Sequence, residues 1–206
     1  TENASRDVGI AFANELSILC ETLGINVWEL INLANRHPRV NILNPGPGVG
    51  GHCIPVDPWF IASESPKDSR LIQTARLVNN AKPDWVVSKI IKAVENLAIT
   101  NQDKKIRLAC LGLAFKPNID DLRGSPALYV VQQLAESNEC DIYVVEPNIT
   151  AKPPNLSSKA VFSNLDDTLE VADIIVVLTN HDEFTNIYSK VRKNQIVLDF
   201  VGLGKQ

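Results

Sequence analysis

Apolar residues along the first hundred positions recur at helical spacing. Val8, Phe12, Leu16, Leu19 and Leu23 follow one another every three or four residues, which predicts a helix with one apolar stripe. Gly24 stops it. Asn26, with Glu29 three residues on, has the spacing of a capping box and opens a second helix that Pro38 ends. A third helical stretch runs through IASESPKDSRLIQTARLVNNA. Pro83 then opens DWVVSKIIKAVENLAI from a first-turn position, where its missing N–H costs nothing. Val87, Ile90, Ile91 and Val94 along that helix form a surface for packing against another domain or another copy.

Near Thr100 the period changes. After the polar bridge NQDKK, strand-length apolar runs (IRLACLGLAF, CDIYVVEP, DIIVVLTN, QIVLDFVG) alternate with helical ones (PALYVVQQLAES, NLDDTLEVA, DEFTNIYSKV). Strands alternating with helices imply a parallel sheet covered on both faces, which binds ligands at the carboxyl ends of its strands. TAKPPNLSS (150–158) reads as a loop, and no internal repeat is visible.

Composition narrows the function classes. The 206 residues carry a net charge of -4, whereas a nucleic-acid partner calls for a basic surface that releases counterions. No apolar run approaches the ~20 residues of a membrane span. The chain starts without methionine, inside what reads as a helix, so a fragment or processed chain is expected. Cys20, Cys53, Cys110 and Cys140 fit no zinc framework, and a reducing, cytoplasmic setting follows. No metal is expected. Cys20 and Cys110, each in an apolar run, read as small core residues.

The segment NPGPGVGGHCIPVDPWF (44–60) satisfies G-x-G-x-x-G from Gly46 to Gly51. A dinucleotide turn, however, needs a strand before the glycines and a helix after them. HPRVNILN offers at best a very short strand, Pro47 interrupts the motif, and Pro55 and Pro58 forbid a following helix. Two readings remain from the residues alone. Either the glycines let backbone approach a ligand and present Cys53 as a nucleophile for carbonyl chemistry, with Asp57 orienting water or thiol, or Cys53 is an inert thiol in a tight turn. His52 is adjacent, but neighbours in an extended segment point to opposite sides.

At this loop the sequence resembles the UDP-glucose/GDP-mannose dehydrogenase family. The matching text is TENASRDVGIAFANEL, GINVWELINLANRHPRVNILNPGPGVGGHCIPVDPWF and LGLAFKPNIDDLRGSPAL. The HPRVNIL…PGPGVGGHC run is similar to the branch acting on UDP-N-acetylmannosamine rather than on UDP-glucose. The resemblance implies an α/β chain: an all-helical central domain over 1–100, carrying the cysteine loop and a homodimer contact, then a Rossmann-like UDP-sugar-binding domain over 101–206. It implies two successive NAD-dependent oxidations of a sugar C6 alcohol, with Cys53 holding a thioester, Asp57 assisting proton transfer and Asn3 positioning the reacting oxygen. Arg6, His37, Arg39 and Gly50 would line the sugar-nucleotide site, His37 and Arg39 from a neighbouring subunit. Phe115 and Lys116 would contact substrate from the second domain, and Arg123 would reach the cofactor.

Each position also has a physical reading. Asn3 and Arg6 share a helical face, and His37 and Arg39 flank a helix end. Lys116 closes the first strand. Arg123 precedes Ser125-Pro126, a cap and first-turn proline. The Asp120-Asp121 pair reads as solvated or partnered with Arg123.

Two departures stand out. The family's NAD domain and its catalytic lysine, four residues before the asparagine matched by Asn3, would fall ahead of Thr1. A chain inactive by itself is therefore expected. Val201 stands where a basic residue is usual and Gly124 where glutamate is common; one lost charge-assisted contact would cost ~1.5–3 kcal/mol.

Overall fold

A computed structural model describes residues 1–100, 105–137 and 139–204, so the polar bridge at 101–105 lies, except for Lys105, outside the described residues. Four helices come first: α1 (Glu2–Leu23), α2 (Val27–Ala34), α3 (Asp57–Glu64) and α4 (Arg70–Thr100). Left-handed Gly24 ends α1, and the Asn26 side chain caps α2 by accepting from the Trp28 and Glu29 amides. α2 stops at Ala34, ahead of Pro38, because Asn35 turns the chain by pairing with both the N–H and the carbonyl of Ile42.

Three expectations change. Phe12, Leu19 and Leu23 lie exposed on α1, and its face towards α4 is small and polar. Asp7 and Arg76 form a buried ion pair there. Asn79 donates to Asp7, and Asn14 joins Asn79 to the Gly46 amide. Hydrogen bonds and small residues, rather than the apolar stripe, hold these helices together. Pro83 lies inside the 31-residue α4 instead of opening a helix. Pro58 sits in the first turn of α3, where proline is tolerated, so the chain after the glycine loop is helical after all.

The second half is a five-stranded parallel sheet in the order β3-β2-β1-β4-β5. Its strands are β1 (Ile106–Leu111), β2 (Cys140–Val145), β3 (Ala160–Phe162), β4 (Ile174–Val177) and β5 (Ile196–Asp199). α5 (Pro126–Ser137), α6 (Leu165–Val171) and α7 (Ile187–Lys190) connect them. The short edge strand β3 follows the 150–158 loop and was not foreseen. The expected helix over DEFTNIYSKV is a 3-10 turn at 182–184 and then α7.

Side chains alternate across the sheet as its pleat requires. Leu108, Cys110, Ile174 and Val176 face α5 and α4, while Ala109, Leu111, Ile175 and Val177 face Phe184 and Ile187. Val86, Ile90 and Val94 of α4 belong to the first of these cores, so the sheet takes up the apolar stripe of that helix. The result is a largely helical region followed by a parallel sheet with flanking helices, a Rossmann-like fold. Among the described residues, no helix is long and apolar enough to cross a membrane.

Candidate functional site

The first turn of α1 meets the first turn of α3. Asn3 donates from Nδ2 to Asp57 Oδ2 at 2.6 Å, joining residues 54 apart in sequence. Cys53 lies one turn ahead of α3, and its carbonyl accepts the amides of Val56 (3.1 Å) and Asp57 (2.8 Å). The segment 51–56 is bent rather than extended, and the Cys53 side chain is exposed. Arg6, one turn along from Asn3, is also exposed. Asn3, Cys53 and Asp57 are therefore brought together, Asn3 through its side chain and Cys53 through its carbonyl.

The glycine loop docks on the sheet domain. A Cβ on Gly50 would lie 2.5 Å from Phe115 Cβ and 2.8 Å from Pro126 Cδ; one on Gly51 would meet the Phe115 ring at 3.0 Å. Gly51 also has φ +85, a left-handed conformation that favours glycine. Its amide donates to the Arg123 carbonyl at 3.2 Å. Gly124, also left-handed, lies under Gly51, which accounts for a residue without Cβ at this position. The glycines thus serve contact between the two halves of the chain. They cover the start of α5, the end at which a sheet of this class would hold phosphate.

Arg123 is 71% exposed on its side chain and grips Asp121 through Nε and Nη2. Those hydrogen bonds pull the Asp121 carboxyl down to about 2, and His52 nearby adds to the effect. Of the two readings of the Asp120-Asp121 pair, solvated or partnered with Arg123, the structure shows the second for Asp121. Ser125 donates to the Leu113 carbonyl and accepts from the Leu128 amide, capping α5.

Other expected residues stand apart. β1 ends at Leu111, so Lys116 does not close the strand; it is exposed in the following loop. His37 and Arg39 are exposed in the turn after α2, where the Arg39 amide donates to His37 Nδ1. Among the described residues no hydrogen bond or ion pair joins either one to Asn3, Cys53 or Asp57. Val201 packs against the second sheet core. A cleft of about 760 Å³ lies elsewhere, bounded by Ser17, Lys82, Trp85 and Phe200. There Lys82 is buried, bonded to Ser17 Oγ and set over the Trp85 ring at 3.7 Å.

The described residues do not form a dinucleotide site. At the carboxyl ends of β1 and β4, a Cβ on Gly112 would meet Thr179 at 2.4 Å, and the Glu146 carboxylate after β2 is spent on the amides of Leu113 and Ala114. Arg123, the residue expected to reach the cofactor, has an exposed guanidinium that is paired with Asp121. Among the described residues no group of three or more His, Cys, Asp and Glu is placed to hold a metal ion.

Sequence reasoning missed the Asp7–Arg76–Asn79–Asn14 network, which fixes the start of α1 and the glycine loop together. Its signal was Asp7 and Asn14 seven residues apart on a helix, a spacing that equally describes a solvated face.

Comparison with known proteins matches residues 1–81 to the central domain of the UDP-glucose/GDP-mannose dehydrogenase family and residues 109–205 to its UDP binding domain. The chain is 54% identical over 205 residues to the UDP-N-acetyl-D-mannosamine dehydrogenase of Salmonella typhi, covering 98% of this chain and 49% of that protein. It is 56% identical over 191 residues to the Campylobacter jejuni enzyme of the same name, covering 92% of this chain and 46% of the relative. Among solved structures, UDP-D-ManNAc dehydrogenase from Pyrococcus horikoshii superposes with a TM-score of 0.80 at 35% identity, covering 98% of this chain and 46% of that one. The Staphylococcus aureus UDP-N-acetyl-mannosamine dehydrogenase gives 0.78 at 31%, covering 99% and 50%. The chain thus spans about half the length of these relatives. With both domain matches carried on the fold and loop geometry described, the chain belongs to the UDP-glucose/GDP-mannose dehydrogenase family and comprises its central and UDP-binding domains.

Proposed function

We propose that this chain supplies the nucleophile and the nucleotide-sugar-facing part of an NAD-dependent dehydrogenase that oxidises UDP-N-acetyl-D-mannosamine at C6 to the uronate, in the cytoplasm, for surface polysaccharide. The observation that carries the reading is the Asn3–Asp57 hydrogen bond beside the Cys53 turn. The names of the relatives support the choice of sugar.

The chemistry follows from the residues. The first oxidation, of the C6 alcohol to the aldehyde, needs a nicotinamide outside the described residues. The Cys53 thiolate then adds to the aldehyde; a C–S bond forms and the carbonyl oxygen takes a proton from solvent, giving a thiohemiacetal. Oxidation of that adduct to the thioester needs a nicotinamide that the described residues do not house, so no part of it is assigned to them. Water then attacks the thioester carbonyl and the C–S bond breaks, returning the thiolate. Asp57, held by Asn3, accepts the proton of that water. Arg6, Phe115 and Lys116 face the nucleotide sugar, Gly50 lets the loop close on Phe115, and Arg123 contacts the cofactor. His37 and Arg39, standing apart from Cys53, serve a neighbouring subunit's site in a homodimer formed through exposed Phe12, Leu19 and Leu23.

The test is NADH formation from UDP-N-acetylmannosamine and from UDP-glucose by this chain joined to the preceding half of a relative that it matches. Turnover of the first sugar over the second is expected, and it is lost in Cys53→Ala. A folded protein that turns over neither sugar would sink the reading. A second reading, a non-catalytic nucleotide-sugar-binding and dimerisation module, draws on apolar Val201 where the family carries a basic residue; UDP-sugar binding without turnover is its outcome.

A further inference from the structure

A parallel sheet of order 3-2-1-4-5 offers a crevice between β1 and β4, where the strand order reverses and a ligand ordinarily lies. In dinucleotide-binding sheets, an acidic residue further along takes the ribose hydroxyl. Glu146 directly follows β2, yet its carboxylate turns to the domain's own backbone. Oε2 accepts the amides of Leu113 (2.7 Å) and Ala114 (3.0 Å), and Oε1 accepts that of Asn148 (3.1 Å).

His181, fully buried after β4, completes the arrangement. Its Nδ1 accepts the Asn118 amide at 3.0 Å, so the imidazole proton lies on Nε2, which donates to Glu146 Oε2 at 3.1 Å. Asn118 has φ 59, unusual for a residue with a Cβ, and its Oδ1 accepts the Asp182 amide. Thr179 Oγ1 donates to the Ala114 carbonyl at 2.8 Å. The loop leaving β1 is therefore held at 113–114 and again at 118, and Phe115 and Lys116 lie between those points. Burial works against the Glu146 charge, but the hydrogen bonds from His181, Leu113 and Asn148 prevail and hold its carboxyl below the usual range. The carboxylate thus stays a full acceptor.

We propose that Glu146, backed by His181, is a positioning residue that occupies the ligand crevice of the sheet from within and presents Phe115 and Lys116 to the nucleotide sugar. The domain would then meet UDP on the outer side of this loop rather than in the crevice at the switch point. The assignment rests on the reading above, in which Phe115 and Lys116 face the substrate.

The test uses the 206-residue chain, with UDP as probe, and its Glu146→Gln and Thr179→Val variants. Amide hydrogen exchange is followed along the sheet domain, and UDP affinity is measured by calorimetry. Glu146→Gln is expected to speed exchange at Leu113, Ala114 and Asn118 by about ten-fold or more, with the amides of β4 and β5 changed less than about two-fold. UDP affinity is expected to fall by about ten-fold, and the protection that UDP gives the Phe115 and Lys116 amides to vanish. Thr179→Val, which leaves the carboxylate in place, produces the same local pattern to a smaller degree and decides the matter should Glu146→Gln not fold. Exchange that rises evenly across the sheet, with UDP affinity unchanged, would make Glu146 merely structural and overturn the proposal. A wild-type chain that ignores UDP would count against the substrate role of Phe115 and Lys116, while loop exchange would still decide whether Glu146 holds the loop.

Discussion

The Asn3 amide and the Asp57 carboxylate, 2.6 Å apart, tie the first turn of α1 to the first turn of α3 beside the cysteine loop. The bond fixes one carboxylate oxygen and leaves the other to work. In the chain joined to the preceding half of a relative, Asp57→Ala is expected to lower kcat by about 10²–10⁴, the range of a lost acid/base group. Asn3→Ala should lower it less and leave KM within about three-fold, because it alters aim rather than substrate contact. Steady-state kinetics with both variants would show whether the effects fall on kcat.

Gly50 and Gly51 press on different parts of Phe115. Gly50→Ala brings two Cβ atoms to 2.5 Å, and Gly51→Ala meets the ring at 3.0 Å. Each should destabilise the chain by about 1–3 kcal/mol in urea unfolding. Phe115→Ala keeps its Cβ, so it should leave the Gly50→Ala penalty intact while easing that of Gly51→Ala. Equal relief of both penalties would contradict the packing described.

Cys53 should react with iodoacetamide well before the other three cysteines. Its side chain is exposed while Cys20, Cys110 and Cys140 are buried, and burial pushes the Cys140 thiol up to about 11 and that of Cys110 further. Mass spectrometry of partly labelled protein gives the order directly, and uniformly slow labelling would return Cys53 to the inert-turn reading.

Lys82 is expected to contribute stability that rises with pH. Burial, reinforced by Lys89 and opposed by Glu21, lowers its ammonium from 10.5 to about 7. The unfolded chain therefore binds the extra proton between these values. The cost is full below about 7 and gone above 10.5, so the Lys82 contribution to stability climbs across that interval. Lys82→Met should stabilise the chain by about 1–3 kcal/mol at pH 6 and gain little near pH 10.5. Urea melts at the two pH values test the sign.

Phe12, Leu19 and Leu23 are more than half exposed on one helix. Replacing Leu19 and Leu23 by glutamate should shift sedimentation from dimer to monomer without lowering the unfolding midpoint. A wild-type chain that sediments as a monomer would remove this surface from the proposal.

The alternation of strand and helix after residue 105 was legible because a sheet buried on both faces leaves continuous apolar runs. Only β3 escaped, three residues long and at an edge. The helical half was harder to read. Phe12 and Leu19 keep the spacing of a core stripe and yet face outward, since the α1–α4 contact is made by Asp7, Asn14, Arg76 and Asn79, whose types suggest solvent. Prolines misled in both directions. Pro58 suggests a break yet lies in the first turn of a helix, and Pro83 suggests a helix start yet lies inside a continuous one. At the candidate site, the cysteine loop and its partners stood in the sequence only through family resemblance. No spacing rule could have brought Asn3 to Asp57 or Gly51 to Arg123.

The helix α4 is a rod about 46 Å long. Its stretch from Arg76 to Lys89 runs along α1, and Val86, Ile90 and Val94 enter the core beneath the sheet. The two halves are therefore not separable cassettes. A cut at residue 100 would leave those three side chains on the wrong fragment and bare the sheet face they cover. Engineers who wish to exchange the nucleotide-sugar half between relatives must carry the far end of α4 with it, and the seam belongs near Pro83, where the helix already lacks a backbone donor.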